Sequence, residues 1–311
     1  MRIGILSANE AEAISENSRL RDEIENAGHE PVDLNYHYTS VSVQQEGRAL
    51  QEYPGKGRVR AEEIAAVIPR INECEPRDVK LGLSALRVLM SRGVYSTATP
   101  ESILLAKSKI DTKIALDGSG IAVPFGVAPT GINFSHHKEQ IDNFEPDATK
   151  YLIVKTDSGT HGHGVVLTQA GHAALSVAQF CAVNKIPYII EEFIEPTEPG
   201  THQDKRLIVI GGIVVASMLR KSKDFRANMS LEGGEGYSYD PTPREAEMAL
   251  NAAEVIGLGV AGVDLIDSTR GPLVTEVNAS PGLGIEKITD VNVARAIVEL
   301  AIRGAQTREL A

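Results

Sequence analysis

The stretch between Ala261 and Gly282 constrains the fold most, because two apolar segments there flank a short polar turn. Residues 262–266 and 273–278 have the composition of buried strands, and Ser268-Thr269-Arg270-Gly271 separates them. This spacing predicts an antiparallel hairpin. In such a hairpin the numbers of facing residues have a constant sum, so a turn centred on residue 270 places Asp264 opposite Glu276.

The predicted hairpin gathers oxygen donors on one face. Side chains alternate along a strand, so Glu276 and Asn278 point to one side while Thr275 and Val277 point to the other. Two carboxylates and an amide oxygen are hard ligands that suit Mg²⁺ held jointly with substrate phosphates. Without a metal ion, like charges so placed repel each other. The alternative interpretation is a solvated hairpin with ordinary surface acids.

A lysine followed by a glycine-rich loop forms a second candidate site. Lys155 ends the apolar segment 151–155, and the loop Asp157–Gly164 follows it directly. Glycines permit positive φ and let backbone amides approach a phosphate closely. Lys109, in the first turn of a helix that Ser108 is expected to cap, offers another phosphate contact. Taken singly, either lysine is an ordinary solvent-exposed charge.

Two histidines of that loop, His161 and His163, allow two interpretations. A zinc pair is one of them, but the sequence places no third nitrogen or sulfur ligand nearby. Hydrogen bonding to phosphate or substrate is the interpretation that we favour.

The segment Glu191-Glu192-Phe193 and a later run of basic residues complete the polar candidates. The segment follows an apolar strand and precedes a proline-rich loop, as expected for a hinge, although the end of an edge strand is the alternative. The basic residues suit anionic substrate groups and a transition-state phosphoryl group. They are Arg206, Arg220, Lys221, Lys223 and Arg226.

A small βαβ unit is expected at the start of the chain. Strands are predicted at Arg2–Leu6 and Pro31–Leu34, with an amphipathic helix over Ser18–Ala27 between them. No glycine fingerprint of a dinucleotide fold follows the first strand, which argues against a nicotinamide cofactor. Residues 36–60 are polar and contain several glycines, so we expect a surface excursion there.

The remaining pattern predicts further strands and helices in two groups. Thr99-Pro100-Glu101 has the cap, proline and acid of a helix start, so we place a domain boundary near residue 95. The expected domains are therefore 1–95, 96–190 and 191–311. Strands are predicted at 65–68, 94–96, 123–127, 151–155, 165–167, 188–193, 206–210, 213–219, 262–266 and 273–278, and helices at 79–92, 109–118, 135–144, 172–184, 243–256 and from 291.

Composition excludes several classes of protein. The chain has 311 residues, 42% of them apolar, and a formal charge of −11, which argues against broad binding to nucleic acid or anionic membranes. The two cysteines, Cys74 and Cys181, are expected to be free thiols. No signal peptide or membrane-spanning run is apparent, so a cytoplasmic location is the expectation.

Four blocks of sequence resemble the ATP-grasp superfamily and, within it, the RimK-type amino-acid ligases related to ribosomal-protein glutamate ligase. The blocks are Ala66–Ile71, Ile153–Lys155 with its glycine loop, Asp224–Asn228, and Ala261–Asp264 with Glu276–Gly282. The resemblance covers nearly the whole chain. It implies an α/β fold with an N-terminal pre-ATP-grasp βαβ domain and two ATP-grasp subdomains whose antiparallel sheets clamp the nucleotide.

The resemblance also implies a role for each candidate residue. Lys109 and Lys155 would hold phosphates, and Asp264, Glu276 and Asn278 would hold Mg²⁺ or Mn²⁺. The hinge residues Glu192 and Phe193 would meet the adenine, Asp204 would lie near the ribose, and Arg226 and Asn228 would line the phosphate region. Arg220 and Arg226 are the implied catalytic arginines, and Arg70 and Arg206 are substrate-binding candidates.

The implied reaction is attack of a carboxylate on ATP, followed by attack of an amine on the acyl phosphate. Glutamate added to a peptide, protein tail or small carboxylate is the leading expectation. Ser230-Leu231-Glu232 and the longer segment 195–203 depart from the family pattern and leave the acceptor open. A regulatory nucleotide-binding protein without turnover, an ATP-grasp carboxylase, or a dipeptide ligase with another amine are the alternatives, and homo-oligomerisation is undecided.

Overall fold

The first part of the chain forms a four-stranded parallel sheet with the strand order β2-β1-β6-β7. The structure is a computed structural model and describes residues 1–8, 11–37, 39–41, 49–53, 57–72, 75–129, 134–144, 150–159, 164–196, 200–223, 225 and 234–309. Five of the six residues of the first strand are buried, as expected for a strand covered on both faces. The elements are β1 (Arg2–Ser7), α1 (Ala11–Asn26), β2 (Glu30–Asn35), β3 (Thr39–Val41), β4 (Ala49–Tyr53), β5 (Gly57–Arg60), β6 (Ala66–Pro69), α2 (Pro76–Ser91) and β7 (Tyr95–Ser96).

The expected surface excursion at residues 36–60 has more structure than its composition suggested. Its strands β3, β4 and β5 form an antiparallel sheet of their own. Polar, glycine-containing segments can therefore pair as short hairpins even where no strong alternation of apolar residues marks them. The βαβ unit itself is confirmed, and its helix α1 begins seven residues before the predicted start at Ser18.

A second sheet, antiparallel and in the order β10-β9-β11-β8, follows in the middle of the chain. Most predictions for this part are confirmed, but the strand expected at 123–127 is only two residues long. The strand β11 runs on to Glu192, past the proposed boundary at 190/191. The elements are α3 (Pro100–Lys107), α4 (Lys109–Gly118), β8 (Gly126–Val127), α5 (Phe134–Phe144), β9 (Tyr151–Thr156), β10 (Val165–Gln169), α6 (His172–Val183) and β11 (Tyr188–Glu192).

The last part of the chain forms a five-stranded antiparallel sheet in the order β14-β13-β12-β15-β16. Its predicted hairpins are confirmed, whereas the edge strand β14 was not predicted. The elements are β12 (His202–Ile210), β13 (Ile213–Ser222), β14 (Glu235–Ser238), α7 (Pro243–Ile256), β15 (Val260–Ser268), β16 (Gly271–Asn278), α8 (Glu286–Thr289) and α9 (Val293–Glu309).

Helix starts follow the local capping rules closely. The Thr99 side chain accepts from the backbone N–H of Ser102 and begins α3, and Ser108 accepts from Asp111 in the same way and begins α4. Helix α7 has a full capping box between Thr242 and Glu245. These caps are encoded within four residues, so the sequence alone located all three helix starts.

The apolar cores show which sheets belong together. One core joins Leu6 and Val67 of the parallel sheet to Leu207 and Val263 of the last sheet, and a second core also contains residues of both sheets. The middle sheet has a core of its own, which includes Ile190. The parallel and last sheets therefore share buried cores, and the middle sheet packs as a separate layer of structure.

Two expectations from composition concern cysteines and membranes. Cys181 is a free, buried thiol, as expected, and Cys74 lies outside the described residues. Among the residues that the structure describes, no helix combines the length and apolar character needed to cross a bilayer.

Candidate active site

The β15–β16 hairpin places Asp264 directly opposite Glu276, which confirms the predicted pairing. The register shifts between Asp264 and Leu265, because β16 carries one extra residue in a β-bulge. That extra residue is Thr275, whose hydroxyl donates to the backbone carbonyl of Asp264 at 3.2 Å. Ser268 faces Gly271, so the turn is centred between residues 269 and 270 and not on 270 as predicted. The bulge makes up this difference and brings the two carboxylates opposite each other.

Asn278 supplies the third oxygen donor expected on this face. It pairs with Gly262, where a Cβ atom would come within 2.9 Å of the Pro281 side chain. The amide nitrogen of Asn278 is buried and has no hydrogen-bond partner among the described residues. Rotating the amide exchanges its nitrogen and oxygen, so a buried amide with unmet bonding capacity fits a metal-binding role.

Two arginines, on β12 and on the next strand β13, hold Asp264. Arg206 faces Asp264 across β12 and β15, and its Nε and Nη2 atoms donate to the two carboxylate oxygens at 2.7 and 2.6 Å. Arg220 on β13 brings Nη2 within 2.9 Å of Asp264 Oδ2. A carboxylate has about four lone-pair positions, so Asp264 retains room for a metal ion.

Arg220 also forms a bidentate pair with Asp204. The two residues face each other across β12 and β13, and Arg220 Nε donates to Asp204 Oδ1 at 2.6 Å. The four side chains Asp204, Arg206, Arg220 and Asp264, which we call the arginine cluster, thus contain two positive and two negative charges. A buried cluster of zero net charge avoids an unpaired buried ion.

The pKa values of the two carboxylates of the arginine cluster are shifted in opposite directions. Burial favours protonated Asp264, but the charges and hydrogen bonds of Arg206 and Arg220 outweigh it and hold its pKa below the usual range. Burial raises the pKa of Asp204 to about 6, with the charge of Asp264 adding to the effect and Arg220 opposing it. Asp264 therefore remains ionised at neutral pH, as a metal ligand must.

A second charge cluster lies where the middle sheet meets helix α4. Lys155 Nζ donates to Glu191 Oε2 at 2.7 Å, and Lys113 Nζ lies 3.1 Å from Glu191 Oε1. Burial favours protonated Glu191, but Lys155 and Lys113 outweigh it and lower its pKa. We call Lys113, Lys155 and Glu191 the lysine cluster; it has one carboxylate for two ammonium groups.

Lys109 lies at the base of the glycine loop. Its Nζ donates to the carbonyl of Gly159 at 3.2 Å, and its backbone N–H donates to the carbonyl of Asp157 at 3.1 Å. The Asp157 side chain accepts from Ser108 and from the backbone of Ile110 at 3.0 and 2.9 Å. The start of the loop is therefore fixed to the N-terminus of α4, an end that favours anions.

Several candidates fall outside the described residues. These are His161 and His163 of the glycine loop, and Arg226 and Asn228 of the basic run. Gly164 at the end of the loop has a φ of 75°, and a Cβ there would lie 2.3 Å from Thr156 Oγ1. Glycine is thus required where the chain re-enters β10.

Glu192 and Phe193, the residues of the predicted hinge, lie at the end of β11. The Glu192 carboxylate accepts from the backbone N–H of Phe125 at 2.8 Å and from Arg270 Nη1 at 3.0 Å. Arg270 also stacks over the Phe125 ring, 4.3 Å from its centroid. Since Arg270 is in the turn between β15 and β16, the hairpin that carries Asp264 touches the hinge directly.

Arg70 makes its hydrogen bonds and its ion pair with residues that belong to neither charge cluster. It is 3% exposed, donates from Nη1 to the carbonyl of Pro281 at 2.8 Å, and pairs with Glu16. Glu16 in turn accepts from the backbone of Leu283 at 2.9 Å. Arg70 therefore fastens the parallel sheet to the loop that follows Asn278.

Lys113 and Arg270 are two residues of this region that were not predicted from the sequence. Lys113 follows Lys109 by four residues, so both lie on one face of α4, and that spacing was the available signal. Arg270 was read only as part of a turn. Its contact with Glu192 joins residues 78 positions apart and has no local signature.

Family models match the chain along most of its length. Residues 103–301 match the RimK-like ATP-grasp domain, and residues 1–103 match the RimK PreATP-grasp domain. A "Probable alpha-L-glutamate ligase" from Coxiella burnetii (strain Dugway 5J108-111) is 36% identical over 310 residues, which cover 98% of this chain and 97% of the relative. A "Probable alpha-L-glutamate ligase 2" from Hahella chejuensis (strain KCTC 2396) is 34% identical, covering 97% and 96% respectively.

Solved structures show the same fold. The ATP-grasp ligase PsnB complexed with minimal precursor, Mg and ADP has a TM-score of 0.69 and 16% identity, covering 98% of each chain. At that level of identity the similarity concerns the fold, and it confirms the expected α/β ATP-grasp architecture.

Proposed function

This chain belongs to the RimK-like ATP-grasp family, and from that premise we propose that it is an ATP-dependent carboxylate–amine ligase. The names of the curated relatives support glutamate as the amino acid. The acceptor class that we propose is a carboxylate on a peptide, a protein C-terminus or a small molecule. The peptide-bound ligases among the structural neighbours share the fold and leave the choice among these acceptors to experiment.

The observation that carries the proposal is the facing pair Asp264 and Glu276, with the Asn278 amide two residues further on. We assign the metal site to these three residues, and Mg²⁺ is the ion, with Mn²⁺ as a substitute. A divalent ion bound there would neutralise charge on the ATP phosphates. Arg206 and Arg220 keep Asp264 ionised and oriented, so that its remaining lone pair is available.

The proposed nucleotide-binding roles follow the resemblance to the family, position by position. Lys109 and Lys155 are proposed phosphate contacts, and Arg226 and Asn228 are assigned to the same region on the family pattern. Glu192 and Phe193 are proposed to meet the adenine. Asp204 is proposed to accept from the ribose, which requires it to share its bidentate pairing with Arg220.

The proposed reaction needs no covalent enzyme nucleophile. A carboxylate oxygen attacks the γ-phosphorus of ATP and ADP leaves, which gives an acyl phosphate. The amine nitrogen then attacks the acyl carbon, phosphate leaves, and the amine loses a proton. Arg220 and Arg226 are the proposed catalytic arginines, because fixed positive charge stabilises the phosphoryl oxygens in the transition state.

The two arginines predicted to bind substrate, Arg206 and Arg70, are assigned different roles. Arg206 faces Asp264 across β12 and β15 and is proposed to bind anionic substrate groups beside it. Arg70 is proposed to act at a distance, because its guanidinium is committed to Pro281 and Glu16 and holds the loop after Asn278.

Phosphate release tests the proposal directly. The purified chain is incubated with ATP, Mg²⁺, glutamate and a panel of peptide and small-molecule carboxylates. We expect release that depends on an acceptor, and we expect Glu276→Ala to abolish it while Glu254→Ala, on the exposed face of α7, does not. Absence of acceptor-dependent release from the wild type, or equal release from Glu276→Ala, would rule the proposal out.

Mass spectrometry of the reaction products identifies the acceptor. Cell extract is incubated with the chain, ATP and isotope-labelled glutamate, and proteins and metabolites are scanned for the mass increment of one or more glutamate residues. An increment from a different amino acid would retain the ligase and reject glutamate. Tight ATP binding without any product would instead favour the regulatory alternative.

A further inference from the structure

Lys113 is a buried lysine that the proposed chemistry does not use. Its side chain is 8% exposed and that of its partner Glu191 is 2% exposed, with 3.1 Å between Nζ and Oε1. Lysine is rarely buried unless its charge is paired. The position of Lys113 beside a proposed phosphate-binding lysine therefore calls for a physical explanation.

Glu191 divides its two oxygens unequally between two lysines. Its Oε2 atom accepts a well-aligned hydrogen bond of 2.7 Å from Lys155. By contrast, Lys113 Nζ and Glu191 Oε1 have no hydrogen bond of acceptable alignment, although they lie close together. Lys113 thus acts on Glu191 as a nearby charge, and its N–H groups have no acceptor in the part of the chain that the structure describes.

This arrangement creates a conflict that Lys113 can resolve. The ammonium group of Lys155 is bound to Glu191, yet the proposed function requires it at an ATP phosphate. If Lys155 leaves, a carboxylate that is almost fully buried loses its hydrogen-bonded partner, which is strongly unfavourable for a buried charge. A second ammonium group already within 3.1 Å removes most of that penalty.

The two lysines differ in how freely they can move. Lys155 is on β9 directly before the glycine loop, and its side chain is 17% exposed. Lys113 is in the middle of α4, between the buried residues Thr112 and Leu116, and is the more enclosed of the two. Lys155 is therefore able to exchange Glu191 for another partner, whereas Lys113 remains beside Glu191.

We propose that Lys113 is a positioning residue for nucleotide binding, which neutralises Glu191 when Lys155 exchanges that carboxylate for an ATP phosphate. The inference rests on the proposed function, because it needs Lys155 to contact the phosphates. Lys113 itself touches neither nucleotide nor metal. It acts through Glu191 and sets the availability of Lys155.

The test compares a phosphate-bearing probe with one that has no phosphate. Calorimetry measures the affinity of the full chain for AMPPNP with Mg²⁺ and, separately, for adenosine. We expect Lys113→Met to weaken AMPPNP binding by about tenfold, because Glu191 then holds Lys155 without competition, and to leave adenosine affinity within about twofold. A purely structural role would weaken both probes alike and would overturn the proposal.

A double variant separates the indirect role from direct contact. In Lys113→Met/Glu191→Gln no carboxylate remains to hold Lys155, so AMPPNP affinity should return to within about threefold of the wild type. A double variant no better than Lys113→Met would mean that Lys113 contacts the phosphates itself, and the positioning role would be rejected.

Glu191→Gln alone keeps the proposal testable if Lys113→Met does not fold. It frees Lys155 in the presence of Lys113, so AMPPNP should bind at least as tightly as to the wild type. Weaker binding by tenfold would overturn the inference. If the wild type itself does not bind AMPPNP, the proposed function fails, whereas wild-type binding that is unchanged in Lys113→Met defeats only the role of Lys113.

Discussion

The arginine cluster and the lysine cluster solve the problem of buried charge in opposite ways. In the arginine cluster, Asp264 and Asp204 are held by bidentate guanidinium groups, and charges balance one to one. In the lysine cluster, Glu191 lies between two ammonium groups, and its single negative charge balances only one of their two positive charges. Arginine presents a rigid planar fork, while lysine is a point charge on a flexible chain.

The difference suggests a division of labour within the site. A fork that bonds both oxygens fixes the orientation of a carboxylate, which suits Asp264 as a proposed metal ligand. An ammonium group can change partners at little geometric cost, which suits Lys155 as a proposed phosphate contact. Glu276 faces Asp264 across the hairpin, and its strand β16 contacts α4, the helix that carries Lys113.

Removing the carboxylate shared by the two arginines is expected to have the largest effect. Asp264→Ala deletes a proposed metal ligand and leaves Arg206 and Arg220 buried with too few counter-charges. ATP-dependent ligation should fall at least about 100-fold, the scale of a lost charge-stabilising group. The free energy of unfolding should fall by about 3 kcal/mol. Phosphate release and urea denaturation measure the two effects.

Asp117→Ala is the matched control for that variant, because Asp117 is exposed at the end of α4. It should retain both activity and stability. An Asp264→Ala protein with more than about a tenth of wild-type activity would contradict the rigid role of the arginine cluster.

The rigid fork of Arg220 should not be replaceable by lysine. Arg220→Lys keeps the charge but cannot bond Asp204 in a bidentate manner while it also reaches Asp264. We expect the free energy of unfolding to fall by about 2 kcal/mol, the scale of lost hydrogen bonds to charged groups. Urea denaturation checks this value. A loss no larger than that of Arg295→Lys, an exposed arginine of α9, would remove the distinction between the clusters.

The reverse exchange tests the mobile cluster. In Lys155→Arg the guanidinium group can bond Glu191 with both arms, so it should leave that carboxylate less readily for a phosphate. We expect the KM for ATP to rise about tenfold, with the free energy of unfolding unchanged or increased. Steady-state kinetics and urea denaturation measure both. Lys138→Arg, on the surface of α5, is the control, and equal KM values would argue against partner exchange.

The smallest expected effect is the change in the free energy of unfolding that accompanies protonation of Asp204. Its pKa of about 6 lies above that of an exposed aspartate, so the folded protein holds this proton more tightly between about pH 4 and pH 6. The contribution of Asp204 to the free energy of unfolding therefore rises as the pH falls from 7 to 5, by about 1 kcal/mol.

Urea denaturation of the metal-free protein at pH 5 and pH 7 measures this contribution. Asp204→Asn removes the titrating group, so the variant should lack the part of the gain on acidification that belongs to Asp204. If wild type and Asp204→Asn respond to pH identically, the arginine cluster does not take up a proton in this range.

Local features of the structure could be predicted from the sequence to within a few residues. The caps at Thr99 and Ser108 predicted the starts of α3 and α4, because a side-chain oxygen and an N–H three residues later are close in any helix. The Asp264–Glu276 pairing was predicted correctly, but the turn alone does not produce it. The one-residue bulge at Thr275 is also needed to bring the two residues opposite each other. The strand β14 and the sheet at 39–60 lacked strong apolar alternation and were not predicted.

The sequence by itself determined that a hairpin would present two carboxylates and an amide, because alternation along a strand and a short turn are local properties. Only the tertiary structure decided which cations meet the carboxylates of the site. Arg206 with Asp264, Lys113 with Glu191 and Arg270 with Glu192 join separate elements, 58 and 78 residues apart in the first and last cases. Such pairs depend on how whole sheets and helices pack, and burial strengthens the first two of them.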